Sequence, residues 1–125
     1  MESELSHLIA ALRQELTEVN RSIADLVEQA DVLRAKHTLE GIRQCMMVIH
    51  QLYGAVDMTL IHRETDLLNR CHQSMEQCQN DLEKVFGPFS AGFPVDQEDL
   101  RCFALGWMNF HQNHVDLTDY IQDQL

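Results

Sequence analysis

Residues 39–60, LEGIRQCMMVIHQLYGAVDMTL, decide the fold of this chain. Apolar side chains at Leu39, Ile42, Met46, Ile49, Tyr53, Val56 and Leu60 recur in alternating steps of three and four, which lines one narrow stripe of an α-helix. The phase passes Gly54 unchanged, and a lone glycine costs about 1 kcal/mol relative to alanine, too little to end a helix by itself. Read onward, Glu64, Leu67 and Cys71, then after a one-residue slip Met75, Cys78, Leu82 and Val85, carry the stripe to Phe86. Pro88 disfavours helical geometry at Gly87, so the helix is expected to stop there. The stretch predicts one long middle helix over about residues 39–86.

An earlier stripe, Leu5, Ile9, Leu12, Leu16, Val19, Ile23, Leu26, Ala30 and Leu33, has the spacing of a coiled-coil seam and predicts a first helix over about residues 3–35. From Leu33 to Leu39 the phase jumps by six residues where seven would preserve it, which places a turn at Ala35–Thr38 with Thr38 as the cap. Residues 87–95 read as a loop, with both prolines and two of the five glycines. Asp96 then caps a third helix over about residues 97–123, with Val95 and Leu100 as its staple and Leu100, Phe103, Trp107, Phe110, His114, Leu117 and Ile121 as its seam.

These elements predict a single all-α domain over residues 1–125: a long antiparallel helical hairpin, or coiled-coil bundle, of three helices. At about 1.5 Å per residue the middle helix would run about 70 Å, pairing with helix one along one half and helix three along the other. Its seam would stay half covered, and a homodimer would complete a four-helix cross-section. The alternative is a bend near Gly54 that closes the same chain into a monomeric four-helix bundle.

Twenty Asp and Glu against nine Lys and Arg give a net charge of −11, which repels nucleic-acid backbones and anionic membranes alike. No apolar run approaches the ~18–20 residues of a membrane span and the start lacks a signal-peptide pattern, so a cytoplasmic protein is expected. In that compartment Cys45, Cys71, Cys78 and Cys102 stay thiols, since none forms a CxxC pair. No glycine-rich phosphate cradle or nucleophile–base pairing stands out, so neither an enzyme nor a cofactor is expected.

What remains is packing. The sequence predicts a protein–protein interaction module (adaptor, secretion-type chaperone, or assembly or regulatory subunit) that binds a partner or a second copy through Met46, Ile49, Tyr53, Val56 and Leu60, with Phe89 and Phe93 as further anchors. A polar residue on the seam, Glu64, would set register. An alternative reading, an acidic inhibitor or immunity-type protein covering a basic nucleic-acid-binding surface, would use Asp96, Glu98, Asp99, Asp116, Asp119 and Asp123. A third, a metal-binding bundle, follows from folding helix three back along helix two: Cys71 comes level with His111, and His72 and His114 lie within a turn, donors suited to zinc. Leu67, Met75, Trp107 and Phe110 around them describe an ordinary core, so no metal is assigned.

His37-Thr38-Leu39-Glu40-Gly41 resembles the His-x-Leu-Lys-Gly motif of histidine phosphotransfer domains, which are also acidic helical bundles of about this length. The resemblance implies a solvent-facing helical histidine that accepts a phosphoryl group. Glu40 stands where that motif has lysine, and Ile42, Arg43 and Gln44 follow the glycine where the family has small residues. A carboxylate there repels a phosphorylated imidazole, and the residues alone read His37 as a hinge histidine between two helices.

Overall fold

The computed structural model describes residues 2–56 and 65–125. They form four helices, α1 (Glu2–Glu28), α2 (Val32–Ala55), α3 (Thr65–Ser90) and α4 (Gln97–Gln124), and no strand among the described residues. α1 packs on α2, α3 on α4, and α1 on α4, giving an all-helical bundle. None of these helices is long and apolar enough to cross a membrane.

The first seam behaves as its spacing requires as far as Leu26: Leu5, Ile9, Leu12, Leu16, Val19, Ile23 and Leu26 are all buried. Beyond that point the expectation fails. α1 stops at Glu28, Ala30 is half-buried and Leu33 is 80% exposed. The turn lies at residues 29–31, earlier than the one expected at Ala35–Thr38, because Asp31 is the stronger cap. Its carboxylate accepts the Arg34 backbone N–H at 2.8 Å and pairs with the Arg34 guanidinium. That N–H, first among several causes, holds the Asp31 carboxyl below its usual range. Thr38 is instead buried within α2, its hydroxyl donating to the Ser22 carbonyl of α1 at 3.4 Å.

The long middle helix is also corrected. α2 ends at Ala55, and Val56 leaves helical geometry for extended backbone (φ −77°, ψ 126°) while its N–H still bonds the Leu52 carbonyl. Gly54 meets nothing within 4 Å of a would-be Cβ, so no packing holds the chain helical here. Heptad phase reports which side of a helix is apolar, whether or not the backbone is continuous. Leu60 and Glu64 lie outside the described residues.

Much of the seam expected to stay half covered is buried within the chain. α2 buries a broad face, Ala35, Leu39 and Met46 beside Thr38, Ile42, Cys45, Ile49 and Leu52. Burial of each large aliphatic side chain is worth about 1.5–3 kcal/mol. Within the chain this face is buried as far as Leu52, while Tyr53 and Val56 are only partly covered.

Nor does α3 stop at Gly87. It runs through Pro88 to Ser90, one turn into the expected 87–95 loop. Pro88 lacks only the amide that would reach the Lys84 carbonyl, and its fixed φ is itself helical. Phe86, edge-on to both Phe89 (6.3 Å) and Phe103 (6.0 Å), anchors this last turn. The stop comes at Gly92 (φ +97°), where Phe93 N–H reaches the Pro88 carbonyl and Gly92 N–H the Phe89 carbonyl, a Schellman closure requiring the left-handed conformation that glycine adopts freely. α4 begins as expected: Asp96 accepts the Asp99 N–H at 2.9 Å, Val95 packs on the core, and every seam residue from Leu100 to Ile121 is buried.

Candidate docking site around His37

The α1–α2 hairpin builds the most featured surface of the bundle. Asp31 starts α2 so that Arg34, His37 and Gly41, at helical steps of three and four, face α1 along its edge. His37 is exposed and stands between two depressions. The larger, of about 750 Å³, is lined by Arg21, Asp25, Asp31, Leu33 and Arg34 among others. The smaller, of about 310 Å³, is lined by Glu15, Val19, Glu40, Gly41 and Gln44. Glu18 and Ser22 of α1 are shared by both with His37.

Cations and carboxylates alternate on the larger side, while carboxylates dominate the smaller. There the Glu15 carboxyl is pushed up, by burial first and by the Glu18 charge second. A Cβ at Gly41 would stand 3.4 Å from Val19 Cγ2, an ordinary van der Waals contact, so α2 lies against α1 beneath His37. Leu33 lines the larger depression as an unburied apolar side chain, and the residue before it, Val32, is 60% exposed. His37 and Gly41 were singled out in sequence by the phosphotransfer resemblance, but Arg34 was assigned to the first helix and His37 to a turn, and Arg21, Ser22 and Asp25 of α1 were not marked.

The residues expected to receive a partner are mostly spent inside the chain. Met46 and Ile49 are buried, and Val56 is half-buried against the core. Tyr53 is half-buried: its hydroxyl donates to His114 Nε2 at 2.7 Å, and its ring stands edge-on to His72 at 4.8 Å. The two loop phenylalanines part company, Phe89 packing on the core and Phe93 remaining 65% exposed.

The three metal candidates are likewise engaged elsewhere. His114 Nδ1–H donates to the Phe110 carbonyl at 2.9 Å, which fixes the tautomer and leaves Nε2 to accept from Tyr53. Burial pushes His114 down to about 4, so the ring is neutral at pH 7. The Cys71 thiol, pushed up to about 12 by burial, donates to the Asn113 carbonyl at 3.3 Å. His111 Nδ1 accepts from Asn20 Nδ2 at 3.2 Å, and Asn20 Oδ1 accepts the Trp107 indole N–H at 2.5 Å. Burial lowers the His111 pKa as well. Among the described residues no three His, Cys, Asp or Glu side chains are grouped to hold a metal ion. The Asn20–Trp107–His111 bridge between α1 and α4 was missed in sequence, because Asn20 sits beside the seam and nothing local marks its partners.

The acidic residues fall into two groups along α4. Asp96 and Asp99 serve the start of α4, with Lys84 3.7 Å from Asp99, and Glu98 lies exposed beside them. Asp116, Asp119 and the exposed Asp123 lie near its end; Asp119 pairs with Arg13 at 2.9 Å and Asp116 accepts from Gln112. At ~1.5 Å per residue the two groups are roughly 25 Å apart. Compared with protein-family models, curated proteins and solved structures, the chain gives no match.

Proposed function

We propose that this protein is a cytoplasmic, non-enzymatic interaction module, a four-helix bundle closed within one chain, that docks a partner protein on the α1–α2 face around His37. The observation that carries the reading is the placement of exposed Leu33 in a cleft lined also by Arg21, Asp25, Asp31 and Arg34. An apolar anchor with a charged rim is the anatomy of a protein-binding surface. Mixed charge in the rim suits a partner carrying both signs, as an adaptor or regulatory subunit would meet. A photo-crosslinking residue at position 33 should capture one discrete partner in the producing cell, and Arg34→Glu with His37→Ala should abolish that adduct. The same crosslinker at Gln79, exposed on α3, should not capture it. Equal adducts from both positions would refute the reading.

A second reading, phosphoryl acceptance at His37, is favoured by one observation. His37 faces solvent from within α2, as the phosphotransfer resemblance implies, while Thr38 and Leu39 turn inward. Glu40, Glu18 and Glu15 around it oppose a phosphorylated imidazole. Incubation with phosphoramidate decides: an acid-labile label lost in His37→Gln supports acceptance, and no label on the folded protein ends it.

A further inference from the structure

The last turn of α2 meets α4 through Tyr53, and the bond it makes there has a fixed direction. His114 is fully buried and its Nδ1–H is committed to the Phe110 carbonyl, so Nε2 can only accept, taking the Tyr53 hydroxyl hydrogen at 2.7 Å. A proton arriving at Nε2 reverses that polarity: the ring donates, the Tyr53 oxygen accepts, and the hydroxyl hydrogen needs a new acceptor. Among the described residues this hydroxyl bonds no second group, so solvent has to supply one.

Burial first, and then the charges of His72 of α3 and of His111, oppose a positive ring at this place. The other groups around the pair do not offset them. The Cys71 thiol of α3 is turned to the Asn113 carbonyl, and His50 of α2 and His72 stand edge-on to the Tyr53 ring. Further along α4, Asp116 is engaged by Gln112 and Asp119 by Arg13 of α1. Of the two bonded partners, α2 is the one free to yield. His114 stands inside α4 between buried Phe110 and Leu117, whereas Tyr53 is half-buried, a Cβ at Gly54 would touch nothing, and Val56 has already left helical geometry. Fully buried Leu52 marks the end of the anchored part of α2.

We propose that Tyr53–Val56 form a proton-released latch: when His114 takes up a proton the Tyr53 bond reverses, and the last turn of α2 lifts from α4 while the four helices stay packed. The device is independent of the His37 face. NMR of the full chain, titrated from pH 7 down through the His114 midpoint, tests it, with imidazole nitrogen shifts following His114 and backbone shifts following helicity residue by residue. His114 should titrate near 4, and the helical shifts of Tyr53, Gly54 and Ala55 should vanish with the same midpoint while those of Cys45–Ile49 and of α4 hold. Tyr53→Phe keeps the ring and deletes the hydroxyl; it should loosen the turn already at pH 7 and raise the His114 midpoint by about one pH unit, a tenfold gain in proton affinity. His114→Gln, which takes up no proton, should show no pH-dependent loosening of the turn. A turn that stays helical after His114 has titrated overturns the proposal, as does loss of helix throughout the chain at that midpoint. So does a Tyr53→Phe chain with turn and midpoint unchanged, or a His114→Gln chain whose turn still loosens in acid.

Discussion

The α1–α2 and α3–α4 hairpins share a bundle but are joined by different chemistry. Between α1 and α2 the contact is aliphatic, Leu12, Leu16, Val19, Ile42 and Ile49, with Thr38 reaching Ser22 as a polar tie. In the other hairpin an aromatic ladder, Phe103, Trp107, Phe110 and His114, climbs α4 and is met across the interface by Phe86 of α3, successive ring centroids 4.4 to 6.4 Å apart. The ladder directs its polar atoms inward, the Trp107 indole to Asn20 of α1 and His114 to Tyr53 of α2. The aliphatic hairpin has its polar atoms outside, around His37. One hairpin thus supplies the orienting framework, and the other carries the surface proposed for recognition.

That contrast can be broken first at Trp107. Trp107→Ala removes a buried indole and strands Asn20, and should destabilise the protein by about 4 kcal/mol, against about 3 for Ile42→Ala in the aliphatic interface. Urea unfolding measures both, and a smaller loss at Trp107 than at Ile42 would reverse the assignment of the framework. Next is acid. His114 is held neutral to about 4 in the folded chain, while an unfolded histidine takes up its proton near 6.5. The unfolded state therefore binds more protons between those values. The contribution of His114 is complete above pH 6.5, declines as pH falls to 4, and changes no further below, a loss of roughly 3 kcal/mol. Unfolding free energies over this range should slope for the wild type and flatten for His114→Gln; parallel slopes would mean that the histidine is not buried as described.

Two smaller effects sharpen the other side. Asp31→Ala should cost about 1 kcal/mol through loss of the α2 cap, whereas Thr38→Ser, at the position expected to cap, should leave helix capping intact. A thermal melt distinguishes them. His37→Ala should change stability by less than ~0.5 kcal/mol, because an exposed side chain with no structural bond is being removed. A larger loss would make His37 part of the framework and remove it from the recognition surface.

Apolar periodicity made the helical class, the α1 core face, the start of α4 and its whole seam readable in sequence. Helix ends were not readable from the same signal. Leu33 continues the spacing of Leu26 yet points to solvent, because one carboxylate at Asp31 outweighs a phase rule. Val56 continues the phase of Tyr53 after the helix has ended. The loop boundary moved because the Phe86 contacts and the Gly92 closure outweigh one proline-deleted hydrogen bond. Of the candidate site, only His37 and Gly41 were legible, because the turn was placed three to four residues late; the α1 half depends on which turn of α1 lies opposite, and that is set by a connection three residues long. Seven histidines suggested metal, but histidine also serves as a buried hydrogen-bonding ring, and at His114 the fold uses it so.

Trp107 is the chain's single tryptophan, and its indole N–H is engaged at the junction of the two hairpins, between Phe103 and Phe110. The protein therefore carries its own optical gauge. Emission from this residue reports whether the hairpins are docked, while far-ultraviolet ellipticity reports whether each is helical. A state in which the emission moves to the red while the ellipticity holds would be two intact hairpins drifting apart, observable without attaching any dye.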